Sequence, residues 1–141
     1  MSKTRTMLAT FALGTTVALA GPAFADKMKV TLDGKSEVPP TTGAGTGTAD
    51  VDYDAATKKL SWKLTYSGLT GPATAAHFHG PAEAGKNAGV KVPIANATSS
   101  PAEGSATLTD EQAADLTAGK YYINVHTAAN PGGEIRGQVT K

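Results

Sequence analysis

The chain has 141 residues and a formal net charge of +1; 40% of the residues are hydrophobic, 18% are charged and none is cysteine. That length suits one domain, and the missing thiols exclude disulfide staples, thiolate metal ligands and a lipid-modified cysteine. No basic run exceeds Lys58-Lys59 and no aromatic cluster accompanies it, so nothing in the composition points to a nucleic-acid surface.

The first 25 residues read as a targeting segment. Lys3 and Arg5 precede an uncharged apolar run from Met7 to Ala20, Gly21-Pro22 breaks it, and Ala23-Phe24-Ala25 has the small-x-small form of a signal-peptidase site. The apolar run is short for a membrane span. Cleavage after Ala25 would leave 116 residues (141 minus 25) with 11 basic and 12 acidic side chains, a net charge of −1. The expected product is periplasmic or secreted, with no membrane attachment.

The rest of the chain predicts a β-sandwich. Gly, Thr, Ala and Val dominate, and turn residues recur at short intervals. Lys27 to Leu32 alternates polar and apolar and reads as the first strand. Glu37-Val38-Pro39-Pro40 and the following Thr41 to Gly45 read as loop, because consecutive prolines cannot donate to a ladder. Thr46 to Tyr53 and Leu60 to Tyr66 form the clearest hairpin. Ala49, Val51 and Tyr53 share one face of it, and Trp62, the single tryptophan, is the expected core anchor.

A turn-rich crossover, Ser67 to Pro72, leads into the strand that carries His77 and His79. Gly80 to Gly89 reads as loop, Val90 to Ile94 as a short strand demoted by Pro93, Ser99 to Glu103 as a turn, and Ser105 to Leu108 as another short strand. Thr109 with Gln112 predicts a capping box opening one short helix, with Asp110 and Glu111 at its positive end and Gly119 closing it. Tyr121 to Thr127 and Glu134 to Thr140 are the last strands, joined by the turn Ala128 to Gly133. Gly132 and Gly133 suit a tight turn with positive φ. Glu83 and Glu103 read as solvated loop acids.

Chemistry concentrates on the three histidines. His77 and His79 lie two apart in a strand and so point to the same face, while Ala76 and Phe78 face the core. His126, on a second strand with Tyr122 and Asn124 on its face, could bring a third nitrogen. Three imidazoles without a carboxylate suit copper or zinc, and intrinsic affinity favours copper. The alternative is that the histidines only make hydrogen bonds at a loop junction. Arg136 is the one arginine after residue 25. It would either form a surface ion pair with Glu134 or Asp52, or guide an anion to the metal through its fixed, forked donors.

The segments Glu37-Val38-Pro39-Pro40, Ala76-His77-Phe78-His79-Gly80-Pro81 and Tyr122 to Gly137 together resemble a CHRD domain. That module is named for chordin and is also found in exported bacterial proteins. Asn124-Val125-His126-Thr127 and Asn130-Pro131-Gly132-Gly133-Glu134-Ile135-Arg136-Gly137 carry most of the likeness. The resemblance implies a β-sandwich and says little about activity.

The site also resembles that of copper–zinc superoxide dismutases. There a His-x-His pair and a later Val-His bind copper, and an arginine beyond a glycine-rich loop guides superoxide. His77-Phe78-His79, Val125-His126 and Arg136 after Gly132-Gly133 occur here in that order. This chain departs from the pattern in having no bridging fourth histidine, no zinc loop and no cysteine pair, which argues against a zinc site.

The sequence therefore predicts an all-β Greek-key sandwich, immunoglobulin-like or dismutase-like, with one short helix. The expected site binds one copper ion through His77, His79 and His126, zinc being disfavoured, with Arg136 as the catalytic anion guide if the protein dismutes superoxide. A non-catalytic copper carrier and a metal-free binding or adhesion module are the alternatives.

Overall fold

The computed structural model describes residues 25–141; apart from Ala25, the expected targeting segment lies outside the described residues. Eight strands follow in order: β1 (Asp26–Asp33), β2 (Thr46–Asp54), β3 (Lys59–Ser67), β4 (Ala73–His79), β5 (Val90–Pro93), β6 (Ala102–Thr107), β7 (Tyr121–Thr127) and β8 (Ile135–Val139). One helix, α1 (Asp110–Thr117), lies between β6 and β7, and a short 3-10 turn at Gly34–Ser36 follows β1. The fold is all-β with one short helix, as the sequence predicts.

The strands form one antiparallel sheet in the order β5-β4-β7-β8-β1-β2-β3-β6. At its middle, β8 and β1 share the single register pair Asp33–Arg136 and lie close, Gly137 having no room for a Cβ against Thr31 O. The sheet bends back there, so that Trp62 on β3 packs against Phe78 on β4 with ring centroids 5.2 Å apart. The chain crosses between the two halves after β3, β5 and β6. Neither half can therefore complete itself from one continuous stretch of sequence.

Period-two patterning places the core. Met28, Val30 and Leu32 on β1 sit opposite Val51, Ala49 and Gly47 on β2, while Val51 and Ala49 sit opposite Trp62 and Leu64 on β3. The apolar side chains of this set are buried, and they meet Phe78, Ile123, Val125, Ile135 and Val139 from the other half in a single cluster. The opposite face of β1, β2 and β3 carries exposed cross-strand ion pairs, Lys27–Asp52 at 3.2 Å and Lys29–Asp50 at 3.3 Å. Such solvated pairs contribute little. Gly104 on β6 faces Trp62 in register, and a Cβ there would come within 2.8 Å of the indole, so the small residue makes room for the large one.

Two sequence expectations need correction. β6 begins at Ala102, not Ser105, and Glu103 is a strand residue paired with Lys63 at 3.2 Å, not a loop acid. Ala102, Gly104 and Ala106 are too small to signal a strand by hydrophobicity. The helix agrees in detail: both bonds of the Thr109–Gln112 capping box are present, and Gly119 has φ of 73°.

Trp62→Ala should cost about 3–5 kcal/mol, measured by chemical denaturation, because it empties the contact that joins the two halves. A loss below about 1 kcal/mol would show that the two faces do not depend on this residue.

Candidate metal centre

β7 is buried at all seven positions. Its inner face, Tyr121, Ile123 and Val125, joins the core. Its outer face, Tyr122, Asn124 and His126, is polar and is covered by loops. The register places His79 opposite Tyr122, His77 opposite Asn124 and Ala75 opposite His126 on the β4 side. On the other side, Arg136 lies opposite Asn124 and Gln138 opposite Tyr122. One layer of polar side chains thus spans β4, β7 and β8, and a register shift at Phe78/His79 against β5 adjusts the strand end beside it.

The three histidines converge. His77 Nδ1 and His126 Nε2 are 3.0 Å apart, and one ring nitrogen from each of His77, His79 and His126 falls within 4.8 Å of the others. That spread is somewhat wider than the roughly 4 Å spanned by ligands about 2 Å from one ion, so the rings would close slightly around a metal.

Backbone carbonyls set the proton positions. His79 Nδ1 bonds to Ala88 O at 2.9 Å and His126 Nδ1 bonds to Pro131 O at 2.9 Å. A carbonyl only accepts, so both Nδ1 atoms carry hydrogen, and in the neutral rings both Nε2 atoms are bare lone pairs. His79 Nε2 is buried and has no hydrogen-bond partner in the chain. Imidazoles that ligate metals are held in this way through their other nitrogen. Burial, followed by the neighbouring histidines, holds His77 below the usual imidazole range. Burial also holds His79 low, although its bond to Ala88 pulls the other way. The neutral form is the one that binds metal.

Arg136 is brought to the same layer but not to the metal position. It is 1% exposed, and its guanidinium lies 3.5 Å from the centroid of the Tyr122 ring. Tyr122 in turn stacks on His79, with planes 3° apart and centroids separated by 4.9 Å. Since β7 lies between β4 and β8, the Tyr122 ring stands between the arginine and the histidines. The guanidinium donates to Lys86 O at 2.7 Å, Asn87 Oδ1 at 3.1 Å and Glu83 O at 3.4 Å. Neither Glu134 nor Asp52 pairs with it among the ion pairs of the described residues.

Two buried acids were not legible as such. Glu37, from the segment before the prolines, is 4% exposed and lies near Arg136 and Asn124. Burial raises its carboxyl to about 7, against the pull of the Arg136 charge. Gly133, at φ of 129°, leaves the space that Glu37 and Asn124 fill; a Cβ there would collide with both. Glu134 is fully buried and accepts from Thr70 N and Oγ1 at 2.8 Å each, Thr127 Oγ1 at 2.6 Å and Asn130 Nδ2 at 3.3 Å. Burial pushes this carboxyl up, yet those bonds together hold it below the usual range. The adjacent β-turn residues gave no sign of either role.

Glu37 gives a pH signature of known sign. Its carboxyl is raised from 4.5 to about 7 in the fold. It therefore contributes stability that is fully present below about pH 4.5 and is lost as pH rises through about 7. The stability of Glu37→Gln relative to wild type should improve between pH 5 and pH 8, read as urea midpoints of both proteins. A difference that stays constant with pH would show that Glu37 does not titrate in that window.

The family model of the CHRD domain matches residues 28–139. No curated protein and no solved structure matches the chain. The match covers β2 to β8 and β1 from Met28 onward, and contains the three histidines, the Glu37-Val38-Pro39-Pro40 segment and the Gly132-Gly133 turn. The chain belongs to the CHRD domain family.

Proposed function

We propose that this protein binds one copper ion through His77, His79 and His126 and acts as an exported copper-binding protein. The observation that carries the proposal is His79 Nε2, a buried lone pair with no partner whose ring is fixed by a bond through the other nitrogen. An unpaired buried acceptor is costly to keep, and a metal ion supplies what it lacks. The His126 ring is likewise fixed through Nδ1, by Pro131 O, while its Nε2 faces His77 Nδ1 at 3.0 Å, and His77, partly exposed, completes the set. In the metal-free chain His77 Nδ1, 3.0 Å from the bare His126 Nε2, is the donor of that contact, so ligation through His77 Nδ1 requires its proton to move to Nε2. Three neutral nitrogens with no nearby carboxylate among the described groups favour copper over hard oxygen-seeking ions, and over zinc by intrinsic affinity. Export is supported by the basic, apolar and small-residue pattern of the first 25 residues.

Copper bound here would supply one-electron chemistry. Superoxide dismutation is the second reading, favoured by the partial exposure of His77, which leaves one side of the cluster accessible to a small anion. Arg136 fits that reading less well than the sequence suggested, because its donors are committed to the Gly80–Gly89 loop. Its charge would act on an anion only at a distance. A carrier without catalysis needs no such guide.

Calorimetric titration should show one Cu(II) per chain, and His79→Ala should lose most of the binding. Affinity should fall as pH drops below about 6.5, the free-imidazole value, because the fold holds His77 and His79 under it. An unchanged titration for His79→Ala would reject the site. Pulse radiolysis of the copper-loaded protein separates the two readings: catalysed decay of superoxide supports the dismutase, and none supports the carrier.

A further inference from the structure

We propose that Tyr122 and Arg136 are positioning residues that hold the His79 ring in one orientation and one tautomer, with Nε2 bare and directed toward the other two histidines. The consequence for metal affinity rests on the copper reading above; the placement of the ring does not.

Three observations converge on His79. First, its ring lies flat on Tyr122, whose far side is covered by the Arg136 guanidinium, so the three planar groups form one stack across β4, β7 and β8. A cation over an aromatic ring is held by the ring's quadrupole and resists displacement when dry. Second, Ala88 is bonded twice over: its carbonyl receives His79 Nδ1–H at 2.9 Å and its backbone N–H and O both lie 3.1 Å from the Tyr122 hydroxyl. Tyr122 thus fixes both the face of the imidazole and the carbonyl that sets its tautomer. Third, Arg136 fastens the loop that presents Ala88 through Glu83 O, Lys86 O and Asn87 Oδ1, and Asn87 Nδ2 continues the chain of bonds to Val38 O at 2.9 Å. The loop's ends are tied separately, by Gly80 N–H to Gly89 O at 3.1 Å and by Ala82 N–H to Lys120 O and Gln138 Nε2–H to Ala82 O at 2.8 Å each, so the arginine is what holds the Glu83 to Asn87 stretch between them.

This assigns Arg136 a role that an anion guide would not have. It reaches His79 only through Tyr122 and the loop. Removing it should disturb one ligand of three and leave the carbonyl bond of His126 to Pro131 in place.

The test uses the metal-free and copper-loaded forms of four proteins: wild type, Tyr122→Phe, Tyr122→Leu and Arg136→Gln. Phe keeps the stacked ring and loses the hydroxyl; Leu loses both. In the metal-free proteins, long-range proton–nitrogen correlation spectra report which ring nitrogen of each histidine carries hydrogen. Wild type should show His79 as a single Nδ1–H tautomer with ring protons shifted upfield by Tyr122. Tyr122→Leu should show mixed tautomers at His79 and an unchanged His126, and should weaken Cu(II) binding by about 10- to 100-fold, the usual effect of losing a partner behind a ligand. Tyr122→Phe should recover most of the affinity and the ring-current shift. Thermal unfolding identifies any variant that fails to fold; should Arg136→Gln do so, the Phe and Leu pair still decides. A folded Tyr122→Leu protein with the wild-type His79 tautomer and affinity would overturn the proposal, as would mixed tautomers in wild type. If wild type binds no copper, the copper reading falls, and the spectra of the metal-free proteins still decide the positioning roles.

Discussion

A strand buried on both faces has to find partners inside the protein for its polar atoms, and β7 is such a strand with a polar outer face, on which only Asn124 Oδ1 is left without one. Tyr122, Asn124 and His126 cannot turn to water, so the chain folds three loops over them. The Gly80–Gly89 loop meets Tyr122 and His79 through Ala88. The turn after β7 meets Asn124 and His126 through Gly132 and Pro131 carbonyls at 3.2 and 2.9 Å. The segment after β1 supplies Glu37. The family-matching segments, far apart in sequence, are the pieces that close over this one face. The histidines are at its edge, where the cover is thinnest and His77 is partly exposed.

Two buried acids support the cover in different ways. Glu134 is an anion whose oxygens are saturated by hydroxyl, amide and backbone donors from the β3–β4 connection and the turn after β7. Hydrogen bonds of this number can replace hydration, which is why the carboxylate needs no cation. Glu37 has fewer donors, and one of its oxygens has none. It stays near neutrality, beside a buried guanidinium that would gain from a full counter-charge. The pair is a compromise between desolvating two charges and leaving one unpaired. The junction between β8 and β1 lies at the same place, since Arg136 is also the residue in register with Asp33.

Much of this was legible in the sequence because it depends on period. Alternation located β1, β2 and β3 and their inward residues; the capping box located α1; the two-residue spacing of His77 and His79 set their common face, and the structure puts His126 on the adjacent strand. What was not legible has a different physical origin. β6 is built of small residues beneath a tryptophan, so its pattern is set by its partner. The carbonyls of Ala88 and Pro131 fix the histidine tautomers, and a carbonyl looks the same in every residue. The fate of Arg136 turned on which side of Tyr122 it entered, a consequence of strand order that no local spacing encodes.

The contact between Trp62 and Phe78 places the only tryptophan directly behind the strand that bears two of the histidines. Phe78 points inward between His77 and His79, which point outward, so the indole and the imidazoles lie on opposite sides of one β-layer, with facing layers about 10 Å apart. At such a range a paramagnetic ion quenches indole emission, and exposure of the indole to water shifts its colour. On the copper reading proposed above, the fold would contain its own optical gauge: dimming without a spectral shift would signal the ion arriving at the outer face, and a red shift would signal the two layers coming apart.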